Sequence, residues 1–152
     1  MRLKIKHYYQ TKSYSCGPVS LKMVFKYLGK NFSRKRLIRL SKANEKTGTT
    51  HKNLLKTARK LGFKTKSRSN AKISDIMNYI EKSIPVIVNY YEIKEKIGHY
   101  SVISGYDKKN KILYLDDPTH GRAYTFSFNR FLKTWHNHNK TSNRWLMVVH
   151  KE

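Results

Sequence analysis

The chain has 152 residues, a length that suits one domain with a hydrophobic core, and we expect residues 1–152 to form a single domain. Its single Cys excludes an internal disulfide and any Cys-rich zinc or iron–sulfur site. Lys and Arg number 33 against 9 Asp and Glu, and a net charge of +24 favours anionic partners such as nucleic acid or an acidic protein. Because the basic residues are spread along the chain, compositional bias is the alternative explanation.

The basic first segment lacks the apolar stretch of a signal peptide, and no run of about 18 apolar residues could span a membrane. We therefore expect a cytoplasmic protein.

Helices are predicted for the first half of the chain. The segment 18–28, "PVSLKMVFKYL", has Pro18 at the first helical position and Gly29 just past its end. Its apolar residues cover most of the circumference, which is typical of a buried helix. The cysteine thus lies where a central helix starts.

Three shorter helices follow. One begins after a Ser33 cap and runs to about residue 43, and the next has Thr49 or Thr50 as its cap and Gly62 as its stop. The last covers residues 74–82 with Ser74 as the cap.

The second half changes to the period of strands. Strands are predicted at 85–91, 98–106, 111–117, 122–128 and 144–150, with a short helix over 128–135. The second and third of these strands flank the polar turn "DKKN" and should form a hairpin. Helices followed by antiparallel strands indicate an α+β domain.

A reactive cysteine needs a helix N-terminus, which favours the thiolate, and a nearby histidine. Cys16 has the first feature, and His99 is the best candidate for the second because it lies at the start of a strand after Gly98. An imidazole in this role needs a partner on its other nitrogen. The next strand ends in "LDDPTHG", and Asp116 and Asp117 point in opposite directions, so one of them can reach His99.

A glutamine six residues before the cysteine could complete such a site. The side-chain amide of Gln10 and the backbone N–H of Cys16 could together bind an oxyanion.

Three segments, "QTKSYSCGPVSL", "GHYSVISGYD" and "LDDPTHGR", resemble the bacteriocin-processing (double-glycine leader) cysteine peptidase family. The resemblance covers nearly the whole chain and implies a papain-like fold. It also implies that Cys16 is the nucleophile, His99 the base, Asp117 the orienting acid and Gln10 the oxyanion donor. With no membrane span and no GxxxxGK[ST] phosphate loop, the chain is expected to be a stand-alone relative acting on a peptide or protein substrate, possibly an acidic one.

Several alternatives stay open at this point. The sequence does not separate hydrolysis from acyl transfer, because either water or an amine can attack a thioester. A basic module that binds nucleic acid or an acidic partner on an idle peptidase scaffold is the second hypothesis, although it would not need all four site residues. No cofactor or metal is predicted, since His136 and His138 lack a third ligand. His120 is expected to be solvated, and Trp135 and Trp145 to belong to the core.

Overall fold

The computed structural model describes residues 1–137, 140 and 143–151. The helices are α1 (Cys16–Tyr27), α2 (Arg34–Ser41), α3 (His51–Lys60), α4 (Ile73–Glu81) and α5 (Phe128–Thr134). The strands are β1 (Lys64–Arg68), β2 (Val86–Glu92), β3 (Ile97–Asp107), β4 (Ile112–Asp117), β5 (Gly121–Ser127) and β6 (Leu146–His150). The predicted α+β class is confirmed.

The strands form one six-stranded sheet in the order β1-β6-β2-β3-β4-β5. Every neighbouring pair is antiparallel, and β3 pairs with β4 as the predicted hairpin. The pairing of β3 with β4 shifts register between Ile103 and Gly105, and the pairing of β4 with β5 shifts register between Leu115 and Asp117.

Helix α1 packs on β3 and is the buried central helix that the sequence predicts, with residues 17–25 all buried. It begins at Cys16, so the prediction that Pro18 is the first helical residue is wrong. Pro18 is third instead, which costs nothing because N–H groups of the first turn have no partner within the helix. The cysteine is therefore the first residue of the helix.

The caps of α2 and α3 follow the sequence. Ser33 accepts a hydrogen bond from the Arg36 N–H at 3.1 Å, and Thr50, the second of the two predicted candidates, accepts one from Asn53. The predicted Ser74 cap of α4 is wrong, because α4 begins at residue 73. The Asp75 carboxylate accepts the Lys72 N–H at 2.8 Å and satisfies this helix start from within the first turn.

Strand β1 was not predicted as a strand, and it separates α3 from α4 in the chain. Its sequence, KTKSR, has no apolar residue to alternate with polar ones, and it pairs with β6 along its whole length. Such a strand forms because its partner supplies the pairing and not because of its own pattern.

Within the described residues, no helix combines the length and apolar character needed to cross a membrane. Helix α1 has 12 residues, or about 18 Å at 1.5 Å per residue, against roughly 30 Å of hydrocarbon.

Candidate active site

The cysteine thiol lies at an uncapped helix N-terminus. Cys16 is half-buried, and the first helical hydrogen bond runs from the Val19 N–H to the Ser15 carbonyl at 3.0 Å. The Ser15 side chain makes no cap bond but donates to the Lys12 carbonyl at 2.9 Å, and the first turn holds no acidic residue. The partial positive charge of α1 is therefore available to an anion beside Cys16.

His99 stands against the thiol from strand β3. Its ring lies close enough to Cys16 for its charge to act on the thiol, and the backbone N–H of Tyr100 donates to Sγ at 3.5 Å. His99 is buried. His99 and Tyr100, which are neighbours in β3, therefore both lie beside the sulfur atom of Cys16. The structure thus brings together Cys16 and His99, which are 83 positions apart in the chain.

The buried carboxylate of Asp117 holds the other side of the imidazole. The Nε2–H of His99 donates to Oδ1 at 3.0 Å, and the backbone N–H groups of Thr119 and His120 each donate to the same oxygen at 2.9 Å. The turn after Pro118 therefore wraps around the carboxylate and fixes its direction.

Asp116 faces elsewhere, as the alternation along the strand predicts. It lies opposite Val102 in β3, and its carboxylate is 3.8 Å from an Arg2 guanidinium nitrogen. Among the described residues, neither of its oxygens accepts a hydrogen bond. Only Asp117 of the two neighbours bonds to His99.

The protonation states follow from these contacts. Burial by itself raises the pKa of the Cys16 thiol, but the charge and hydrogen bond of His99 outweigh it, so the pKa is lowered. Burial lowers the pKa of His99, but the Cys16 thiolate and the bond to Asp117 outweigh it, so this pKa is raised. Burial raises the pKa of Asp117, yet the bond to His99 brings it well below its usual range. These directions favour a thiolate beside an imidazolium and a carboxylate.

The predicted oxyanion donor lies between the cysteine loop and the aspartate turn. The side-chain oxygen of Gln10 accepts from the Thr119 hydroxyl at 2.9 Å, and its backbone N–H donates to the Pro118 carbonyl. Its amide nitrogen donates to the carbonyls of Lys12 and Ser13 at 3.0 and 3.3 Å. The Gln10 amide is thus held in place by the loop that leads into α1.

Two side chains that touch the carboxylate residue were not predicted. The Tyr90 hydroxyl donates to Oδ2 of Asp117 at 2.8 Å, and His7 donates from Nε2 to its backbone carbonyl at 2.7 Å. Tyr90 is buried and its ring stands edge-on to His99, with the centroids 5.4 Å apart. A phenol in a buried strand needs a partner for its hydroxyl, and that is the signal by which the sequence could have indicated Tyr90.

The predictions for the two tryptophans and for the remaining histidines have separate outcomes. Trp135 and Trp145 are buried in the core, as predicted. His120 is exposed, as predicted, and its ring stacks on Tyr124 while its Nε2 lies 3.0 Å from a Glu92 carboxylate oxygen. His138 lies outside the described residues.

Comparison with known proteins points to one family. Residues 2–143 match the model of the peptidase C39-like family. The chain is 31% identical over 139 residues to the transport/processing ATP-binding protein ComA of Streptococcus pneumoniae, covering 89% of this chain but only 18% of that transporter.

Two solved structures share the architecture. The peptidase domain of Streptococcus ComA superimposes with a TM-score of 0.80 and 30% identity, covering 97% of this chain and 98% of that one. A double-glycine-motif protease from an AMS/PCAT transporter, crystallised with its leader peptide, gives a TM-score of 0.75 over 99% of this chain and 94% of that one. At 20% identity, the second likeness concerns the fold alone.

Proposed function

Since the chain belongs to the peptidase C39-like family of cysteine peptidases, we propose that it cleaves a peptide bond through a thioester formed on Cys16. The observation that carries the proposal is the chain of contacts from the Cys16 thiol through the His99 ring to the Asp117 carboxylate. The pKa values of the Cys16 thiol, the His99 imidazole and the Asp117 carboxyl are each displaced in the direction that nucleophilic catalysis requires.

In the first step the Cys16 thiolate attacks the carbonyl carbon of the substrate. A sulfur–carbon bond forms, and the carbonyl electron pair moves to the oxygen. The His99 imidazolium then gives its proton to the amine as the carbon–nitrogen bond breaks, which leaves a thioester and neutral imidazole. Asp117 keeps the imidazole oriented and stabilises its charged form before the amine departs.

In the second step His99 takes a proton from water, whose oxygen attacks the thioester. The acid product leaves and the thiolate is restored. An amine in place of water would give acyl transfer. Hydrolysis is the proposal, because the relatives that share the fold are peptidases.

The oxyanion would be held by the Cys16 N–H at the start of α1 and by the Gln10 amide. The helix end supports this role because no side chain caps it. Gln10 would turn one amide N–H from the Lys12 or Ser13 carbonyl toward the substrate, and such hydrogen bonds often align only in the complex.

We propose a peptide substrate, and a leader that ends in two glycines is the first candidate by family. Cytoplasmic location and a single domain over residues 1–152 stay predictions. Nucleic-acid binding, which only the net charge favours, also stays a prediction.

Two measurements test the proposal. A thiol-directed acyl-type probe should label Cys16 rapidly near neutral pH, and the His99→Ala variant should label slowly, since the thiolate then loses its main support. A panel of peptides, with double-glycine leaders among them, should be cut by the native protein and not by Cys16→Ala. Labelling that is equally fast in His99→Ala would indicate simple exposure of the thiol and would contradict the proposal.

A further inference from the structure

Strand β1 lies at one edge of the sheet, and its outer side has no partner among the described residues. It pairs only with β6, and no other backbone bond involves residues 64–68. Four of its five residues are exposed. In antiparallel pairing, alternate residues direct both their N–H and C=O to the same side, so β1 offers unpaired backbone groups to an added strand.

Cations alternate along this edge on one face of the sheet. Lys64, Lys66 and Arg68 are each two residues apart, which puts them about 6.8 Å from one another on the same face. Lys64 lies opposite His150, and Arg68 opposite Leu146. Arg68 pairs with Asp75 at 3.3 Å, whereas no ion pair within the described chain involves Lys64 or Lys66.

Two cavities adjoin strand β1, and Lys66 belongs to the lining of both. The larger measures 650 Å³ and the smaller 240 Å³. Together they are lined by six Lys or Arg side chains and one carboxylate, that of Asp75; the six are Arg59, Lys64, Lys66, Arg68, Lys82 and Lys151. The two cavities together form a groove along β1, and its excess of cations attracts carboxylates or phosphates.

A buried nitrogen in the larger cavity lacks a partner. Nε2 of His150 is shielded from solvent and makes no hydrogen bond among the described residues, and it sits in the register position facing Lys64. Burial and the nearby Lys66 ammonium lower the pKa of His150, so its ring stays neutral and the positive charge of the groove comes from the Lys and Arg side chains.

We propose that the β1 edge binds an acidic, extended polypeptide segment as an added seventh strand, with alternate carboxylates against Lys64, Lys66 and Arg68. The backbone groups of the edge supply the strand pairing, and the cation spacing selects carboxylates at every second residue. This docking site lies three strands from β3, or about 14 Å across the sheet from the strand that carries His99, so it is separate from the catalytic residues.

An acidic polypeptide fits this edge better than a nucleic acid does. Proteins that hold single strands combine cations with exposed aromatic rings on which bases stack. Of the two aromatic rings that line the cavities, Phe63 is buried and stacks on Phe25, and Tyr79 is partly buried against the core. What the groove offers is a strand edge and alternating charge.

Lysines on an edge strand also repel other strands and so guard against aggregation. The two effects make different predictions. An edge that only prevents aggregation should repel every strand, whereas this edge should bind a strand that carries carboxylates at every second residue. The arrangement of the charges, and not only their number, should therefore decide binding.

The first test compares two capped peptides of identical composition, one with Glu and Thr alternating and one with the Glu residues consecutive. The alternating peptide should bind more tightly, weaken as salt is added, and slow hydrogen exchange at alternate β1 amides. Equal affinity of the two peptides would reduce the interaction to general charge attraction and overturn the proposal. Single-stranded nucleic acid that slows the same amides more strongly would also overturn it.

The second test reverses the charges. Lys64→Glu, Lys66→Glu and Arg68→Glu combined should weaken binding of the alternating peptide by roughly threefold to a hundredfold, since each of the three cross-strand charge pairs contributes a factor of roughly 1.4 to 5, and the repulsion between like charges adds to this loss. The matched control reverses the exposed Lys4, Lys108 and Lys133, which changes the net charge equally. Equal loss in both variants would overturn the proposal. Cleavage of a short neutral peptide should persist in both, so failure here is distinguishable from failure of the proposed peptidase activity.

Discussion

Replacing Asp117 by Asn tests the aspartate with a change of one atom. Oδ1 of Asp117 accepts three N–H groups, from the His99 ring and from Thr119 and His120, and Oδ2 accepts the Tyr90 hydroxyl. The new amide must keep its oxygen toward the three N–H donors, since its NH₂ group would clash there. Its NH₂ then meets Tyr90, whose hydroxyl must turn from donor to acceptor.

The variant keeps the shape of the site but loses the charge beside the imidazolium. Hydrogen bonds to charged groups contribute about 1.5–3 kcal/mol and neutral ones about 1 kcal/mol, so the loss in support for His99 is about 0.5–2 kcal/mol. With the added cost at Tyr90, we expect kcat/KM to fall roughly tenfold to a hundredfold. The bond to Asp117 also raises the pKa of His99, so the alkaline limit of activity should move to lower pH in Asp117→Asn.

The adjacent residue supplies the control. Asp116 is also buried, but its oxygens make no hydrogen bond among the described residues, and Arg2 is 3.8 Å away. Asp116→Asn removes a poorly compensated buried charge, so kcat/KM should stay within about twofold. Steady-state cleavage of one peptide by both variants across pH decides the matter. Similar losses in the two variants, or an unmoved alkaline limit in Asp117→Asn, would show that the third member of the site is misassigned.

Three further outcomes follow from the same contacts. Cys16→Ser should abolish turnover while the Tm stays within about 3 °C, because the side chains are close in size; retained turnover, or a much larger fall in Tm, would contradict a nucleophilic role. Tyr90→Phe leaves Oδ2 of Asp117 without its partner, so thermal melting should show a loss of about 1–3 kcal/mol and kcat should fall less than in Asp117→Asn; an unchanged Tm would mean that the hydroxyl bond contributes nothing. Because the thiol pKa is lowered, probe labelling of Cys16 should begin below the usual thiol range, whereas an onset near pH 8.5 would mean a neutral pair at rest.

The sequence indicated which side chains would lie together around Cys16 better than it indicated the exact limits of the elements. Cys16 and His99 could be paired because a reactive thiol has few possible supporters, and the chain offers seven histidines of which one begins a strand after a glycine. Alternation along a strand indicated that only one of Asp116 and Asp117 could reach His99, and the resemblance of the Asp-Pro segment to the family selected Asp117.

Features that depend on tertiary contacts were not predictable. Strand β1 has no apolar pattern and exists through its register with β6, from Lys64 opposite His150 to Arg68 opposite Leu146. The bond from Tyr90 to Asp117 depends on how β2, β3 and β4 lie side by side and on the register shift at the end of β4. Local composition does not determine how distant segments of the chain pair.

The large net charge and the chemistry at Cys16 act over different ranges. The groups that displace the pKa of the thiol are burial, His99, the Tyr100 N–H and Asp117, all within the site. None of the groove cations is among them, and β1 lies about three strand spacings from β3, beyond the screening length of about 8 Å at physiological ionic strength. A charge of +24 can therefore govern which polypeptide reaches the protein while the reactivity of the thiolate is set by three neighbouring residues.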